Sequence, residues 1–252
     1  MCLVVFAYKT HPKYKLIMAA NRDEFYARPT AETHWWEDHD ILGGRDLQAK
    51  GTWMGVNKRG HFATVTNFRD INNIKDDARS RGDLPVNFLI GDQSSNDYSQ
   101  KVFSEAQQYN GFNLLTLGDE MTHVSNYSKD VTALSSGVYG LSNALLDSSW
   151  PKVNKSKELL RNEIEGNFDL EDLIDLMQNT EVAKDDELPE TGLSLEMERA
   201  VSAMCIRTEN YGTCCSTAIT MDYEGNVKFM EKSYPFGNRK NEVKSFSFEI
   251  EK

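Results

Sequence analysis

The chain has 252 residues, 39% of them hydrophobic, and a net charge of −11. That is apolar material for a substantial core. The acidic balance, with no stripe of Lys or Arg, excludes nucleic acid and an anionic membrane surface as main partners.

Residues 2–9 and 15–21 are expected to be two strands joined by a turn at His11-Pro12-Lys13. The opening run, Cys2-Leu3-Val4-Val5-Phe6-Ala7-Tyr8, has no basic lead and stops at Lys9. It reads as neither a signal peptide nor a membrane span, and no other stretch is long enough to span. Both strands are apolar on both faces, so the hairpin belongs at the centre of a layered fold, covered on each side. The second strand runs into Asn21-Arg22-Asp23-Glu24, and the short turn sets residue 21 or 22 opposite residue 2 or 3.

Cys2 follows the initiator Met1 directly. If Met1 is trimmed, Cys2 carries a thiol and a free α-amine, and that amine titrates near ~7.7–8.0. It can then serve as the base for its own side chain, the N-terminal form of an activated nucleophile. The plain alternative is a small apolar residue opening a buried strand. A nucleophilic Cys2 is expected to be accessible, with its thiol pKa lowered by Arg22.

Residues 25–42 read as irregular. Two histidines and two acids in His34-Trp35-Trp36-Glu37-Asp38-His39 fit no metal-ligand spacing, and no metal is expected. Trp35, Trp36 and Trp53 are candidates to line a pocket for an apolar ligand. Gly43-Gly44-Arg45-Asp46 and Gly51-Thr52-Trp53 precede no helix of a βαβ unit, which argues against a phosphate loop. A strand at 61–67 ends in Thr66-Asn67. Helices are expected at 83–89 and from a cap at 94–96 to 108, then strands from 112 to 117 and on to about 127, and at 137–143.

Trp150-Pro151 opens a helix to about 165. The positions Leu170, Leu173, Ile174 and Met177 mark a helix over 169–178 capped by Asp169. An acidic loop over 179–192 leads to strands at about 201–207, 213–221, 226–231 and 244–250. No linker or repeat divides the chain, so a single domain over 1–252 is expected, with two sheets and helices outside them. The four cysteines, Cys2, Cys205, Cys214 and Cys215, form no spaced framework and no CxxC pair. A reducing, cytoplasmic setting follows, with the last three buried in strands or at their ends.

Cys2, Asn21-Arg22-Asp23-Glu24, Gly43-Gly44-Arg45-Asp46, Gly51-Thr52-Trp53, Ser80-Arg81-Gly82, Gly111-Phe112-Asn113, Gly140-Leu141-Ser142-Asn143, Trp150-Pro151-Lys152 and Tyr211-Gly212-Thr213 together resemble the NRDE family, also called the transport and Golgi organisation protein 2 family. The resemblance runs from residue 2 to about 235. It implies an α+β fold, the four-layer αββα sandwich of N-terminal nucleophile hydrolases. More distantly the chain resembles choloylglycine hydrolases and penicillin V acylases. That resemblance implies Cys2 as nucleophile, Arg22 with Asp23 or Glu24 as its charged partners, and Asn67 and Asn143 as oxyanion donors. Asn21, Trp35, Trp36, Trp53 and Arg81 are then candidates to bind substrate. Two departures stand out. The hydrolases' late arginine has only Arg207 as a match, and the family's Tyr-Gly-Thr-Arg has Cys214 in place of Arg here.

Two functions follow. One is a cysteine amidohydrolase acting on an amide or acyl thioester of a small apolar substrate, with no cofactor. The other is a binding protein on the same fold, for haem, acyl-CoA or a lipid. A haem would need an axial ligand, and none of His34, His39, His61 or His123 is singled out.

Overall fold

The computed structural model describes residues 2–236 and 240–251. Six strands come first: β1 (Cys2–Tyr8), β2 (Tyr14–Phe25), β3 (Thr30–Trp35), β4 (Leu42–Asp46), β5 (Met54–Val56) and β6 (Phe62–Asn67). Helices α1 (Asp83–Ile90) and α2 (Ser95–Ser104) lead to β7 (Phe112–Leu117), β8 (Met121–Ser125), β9 (Thr132–Ala133) and β10 (Gly137–Leu141). After α3 (Pro151–Ile164), α4 (Leu170–Leu176) and α5 (Leu195–Ser202), the chain ends in β11 (Tyr211–Asp222), β12 (Asn226–Ser233) and β13 (Glu242–Glu249). These form two mainly antiparallel sheets flanked by helices, the make-up of an α+β sandwich of N-terminal nucleophile hydrolase type.

The chain divides into two compact units. One holds residues 1–27, 136–142 and 146–248, the other 28–135, 143–145 and 249–252. The backbone enters and leaves each unit several times, so no single linker marks the division in the sequence.

In the first unit the sheet runs β10-β1-β2-β11-β12-β13. The hairpin is central, as its two apolar faces require. Leu3, Val5, Ala7, Ile17 and Ala19 pack with Ala218 and Met230 against Val153 and Leu160 of α3 and Leu173 and Ile174 of α4. Val4, Phe6, Met18 and Ala20, on the other face, are also buried. Pro151 occupies the first turn of α3, where its missing N–H costs nothing. Asp169 accepts from the Asp172 N–H and starts α4.

In the second unit the order is β3-β4-β5-β6-β7-β8-β9. Leu84, Phe88 and Leu89 of α1 and Tyr98 and Val102 of α2 pack on Ala63, Val65, Phe112, Leu114 and Val124. The missing side chain of glycine matters at Gly51, where a Cβ would stand 2.5 Å from the Gly82 carbonyl. The Thr52 N–H donates to that same carbonyl at 3.1 Å. The Gly51-Thr52 and Ser80-Arg81-Gly82 motifs are therefore two halves of one backbone contact.

Three expectations are corrected. The 25–42 stretch is not wholly irregular, because β3 pairs with β4. Residues 201–202 end helix α5, and the 201–207 stretch contributes only a bridge between Arg207 and Gly212. The strand expected at 213–221 starts earlier, at Tyr211.

Candidate functional site

In the first unit the register pairs Cys2 with Arg22, and Arg22 in turn with Cys215 on β11. Directly opposed residues of antiparallel strands point to the same face. Cys2, Arg22 and Cys215 thus form one row across three strands, with the guanidinium between two thiol-bearing residues. A bulge in β11 between Thr213 and Cys215 absorbs Cys214, and this brings Cys215 rather than Cys214 opposite Arg22. The Cys214 thiol instead faces the Glu24 carbonyl at 3.8 Å.

Arg22 is buried, and its guanidinium stands 3.8 Å from the Glu24 carboxylate. Burial pushes its pKa down. Negative charge on Cys215, Cys214, Glu24 and Cys2 would outweigh that, and the net direction is upward. The Cys2 thiol departs from expectation. It is 8% exposed, and burial raises its pKa despite the pull of Arg22 and of the Asp23 N–H. The expected accessible, acidic thiol is not what this chain presents, because desolvation of a thiolate outweighs one neighbouring cation. Cys205, Cys214 and Cys215 are buried as expected. Met1 lies outside the described residues.

Strand alternation separates the charged quartet. Asp23 pairs with Thr213, and Thr213 Oγ1 donates to its carboxylate at 2.7 Å. Burial raises the Asp23 pKa against the opposing pull of Lys152, Thr213 and Arg22. Lys152, whose charge bears on Asp23, was not singled out in the sequence reading. A lysine in a helix's first turn reads as solvent-facing, yet this one is buried and donates to the Val201 carbonyl at 2.9 Å. Its only signal was its place in the Trp150-Pro151-Lys152 motif.

Asn21, a candidate for substrate binding, is fully buried. Its amide donates to the Met177 and Met204 carbonyls at 2.8 and 2.7 Å and accepts from Ser216 at 2.5 Å. Those bonds tie β2 to the end of α4 and to the chain after α5, a structural role. Ser142 Oγ donates to the Cys2 carbonyl at 3.0 Å. Arg207, the one match for a late arginine, lies over the Tyr234 ring at 4.6 Å.

In the second unit Asn67 ends β6, and Asn143 Nδ2 donates to its carbonyl at 2.9 Å. The Arg69 N–H donates to the Asn143 carbonyl at 2.7 Å, so the two asparagines are brought together. Arg81 is half-buried and donates to the Gly111 carbonyl at 2.9 Å. Trp35 and Trp36 line one open cavity with Glu37, Asp38, His39, Asp40 and Lys58. Trp53 does not line it, and its carbonyl accepts from the Val65 N–H at 2.8 Å. The expected three-tryptophan apolar pocket is thus a two-tryptophan cavity with an acidic rim. Among the described residues no group of His, Cys, Asp and Glu could hold a metal ion, and no helix is long and apolar enough to cross a membrane.

The fold resembles that of the N-terminal nucleophile hydrolases. A solved N-acylethanolamine-hydrolyzing acid amidase ortholog from Caenorhabditis elegans aligns with a TM-score of 0.50, covering 86% of this chain and 92% of that one at 11% identity. The chain belongs to the Transport and Golgi organisation 2 family, which it matches over residues 1–235. It is 35% identical over 257 residues to the Transport and Golgi organization protein 2 homolog of Bos taurus, covering 92% of this chain and 93% of that protein. It is also 35% identical over 261 residues to the homolog of Homo sapiens, with the same coverage.

Proposed function

We propose that the chain is a cysteine hydrolase of amides or acyl thioesters, with Cys2 as nucleophile once Met1 is removed. What supports the reading most is the row Cys2–Arg22–Cys215 beside a buried Asp23. Titratable groups held under such burial cost stability and serve no packing need, a combination that marks functional sites. The likeness to an amidase supports the fold alone.

In the proposed reaction the Cys2 α-amine takes the thiol proton, and the thiolate adds to the substrate carbonyl. Collapse expels the leaving amine or thiol, which takes the proton back from the ammonium. Water then attacks the thioester, the α-amine again accepting the proton, and collapse breaks the C–S bond, so that the acid departs and the ammonium returns its proton to the Cys2 sulfur. Arg22 would stabilise the thiolate, and the Asp23 carboxylate would hold the ammonium. The amides of Asn67 and Asn143 are assigned as oxyanion donors on the resemblance to choloylglycine hydrolases. With Met1 in place there is no such amine, and the raised Cys2 pKa describes a resting thiol.

That same buried thiol favours a second reading, a non-catalytic binding protein for haem, acyl-CoA or another lipid. One experiment separates the two. Intact mass shows whether Met1 is gone, and a panel of N-acyl amides and acyl thioesters is assayed with wild type and Cys2→Ala. The hydrolase reading expects a trimmed chain and at least ~10³-fold loss of turnover in the variant. Retained Met1 with no turnover, and equal binding of haem or acyl-CoA by both proteins, establishes the binding reading instead.

A further inference from the structure

We propose that a cavity on the helix-covered face of the first unit's sheet binds a small apolar monocarboxylate, with Thr220 and Lys228 holding the carboxylate. The cavity measures about 350 Å³, at the lower end of the size range of small-molecule sites. It is bounded by the start of β2, the entry to α4, and strands β11, β12 and β13. Strand alternation along β11 puts Thr220 on the face opposite that of Cys215. The site therefore uses no part of the Cys2 row and does not rest on the hydrolase reading.

Tyr14, Phe168, Leu170, Met230 and Phe246 give the cavity an apolar wall. The Tyr14 and Phe168 rings meet at 5.6 Å between centroids, tilted by 54°. The His11 ring packs against both, at 5.0 and 6.0 Å. A wall of packed rings suits a flat apolar body of about one ring's size.

The polar end is two side chains without partners. Thr220 is 3% exposed, and its hydroxyl makes no hydrogen bond among the described residues. Burying a hydroxyl that way is costly unless an acceptor meets it. Thr220 lines the cavity, so an acceptor bound there would meet it. The register sets Lys228 of β12 directly opposite Thr220, and opposed side chains are neighbours on one face. The Lys228 side chain makes no ion pair or hydrogen bond among the described residues either. A buried hydroxyl donor beside an ammonium, next to an apolar wall, is complementary to a carboxylate on an apolar body. Ser245 and Ser247 bring further hydroxyls to the same cavity. Asp169 and Glu171 also line it. Asp169 is committed to the Asp172 N–H, at 3.1 Å. Their negative charge works against a second carboxylate, so the site selects a monoacid over a diacid.

The test follows the Met230 methyl signal of the full chain by NMR, assigned from Met230→Leu, during titration with 3-phenylpropanoate at pH 7. The expected result is a saturable shift. The neutral amide, 3-phenylpropanamide, and the diacid, phenylsuccinate, should each bind roughly tenfold more weakly. Thr220→Val should weaken 3-phenylpropanoate binding roughly tenfold, and Lys228→Gln roughly threefold. Thr220→Val should leave the urea midpoint of the free protein undiminished, because the hydroxyl it removes has no partner there. No saturable shift, equal affinity for the amide or the diacid, or affinity unchanged in both variants overturns the proposal.

Discussion

The two units bury polar groups in opposite ways. In the second, a network of neutral buried side chains is hydrogen-bonded within itself and to backbone carbonyls. Asn113 donates to Thr66 at 3.3 Å and to the Ala144 carbonyl at 3.0 Å, and meets His123 Nε2 at 3.1 Å. The hydroxyls of Ser99 and Thr116 both reach Thr122, at 2.8 and 2.7 Å. In the first unit the end of β2 buries charges, Arg22 and Asp23, whose pKa values burial and neighbours displace. A satisfied neutral network specifies a fold. A buried charge that shifts its own titration is costly and points to chemistry. The contrast recurs between adjacent residues: Asn21 belongs to the first kind and Arg22 to the second.

The sharpest way to break this comparison is Asn21→Leu. It strips hydrogen bonds from the Met177 and Met204 carbonyls and from Ser216. The expected loss is about 4 kcal/mol of unfolding free energy in urea, with the labelling rate of Cys2 in the folded protein unchanged. A stable variant with altered Cys2 reactivity would move Asn21 into the site.

Next in size is a pH effect in the second unit. Burial lowers the His123 pKa from 6.5 to about 4. The unfolded chain therefore takes up a proton as pH falls through 6.5, while the folded chain resists until about 4. Stability is fully present above that window and lost within it, by about 3 kcal/mol. Urea titrations between these pH values measure it, and His123→Gln should remove the component.

The smallest expected effect is a gain. The Asp23 pKa is raised, so its carboxylate penalises the folded state above the ordinary carboxylate range and not below it. Asp23→Asn should therefore stabilise the protein at neutral pH by about 1–2 kcal/mol and leave stability at pH 3 unchanged. Under the hydrolase proposal the same variant loses activity. A variant destabilised at neutral pH would make Asp23 a structural residue.

Much of the first unit was legible because its signals are periodic. Apolar residues on both faces of 2–9 and 15–21 located the hairpin, and the turn length narrowed the pairing to residue 21 or 22 opposite residue 2 or 3, of which the register takes Cys2 with Arg22. The Asp169 cap and the i, i+3, i+4 spacing located α4. The failures have physical causes. β3, Thr-Ala-Glu-Thr-His-Trp, carries too little apolar alternation to read as a strand. α5 buries a single hydrophobic residue, Val201, and leaves Leu195 and Met197 exposed, so little in its sequence marks a core-facing side. A strand buried on both faces does not reveal which side Asn21 takes. Nor does sequence report how far burial outweighs a neighbouring arginine at Cys2. Lys58 and Arg45 set cations against the Trp35 and Trp36 rings, contacts beyond the reach of local pattern.

The order β10-β1-β2-β11 has a consequence for biosynthesis. The hairpin leaves the ribosome well before the strand that completes it, Tyr211–Asp222. Until then one edge of β2 presents unpaired N–H and C=O groups beside the apolar run Leu16-Ile17-Met18-Ala19-Ala20. Loop closure over so long a stretch is slow, and an open edge of this kind is where nascent chains stick to one another. Shelter for residues 14–25 during translation is therefore expected to raise the yield of folded protein.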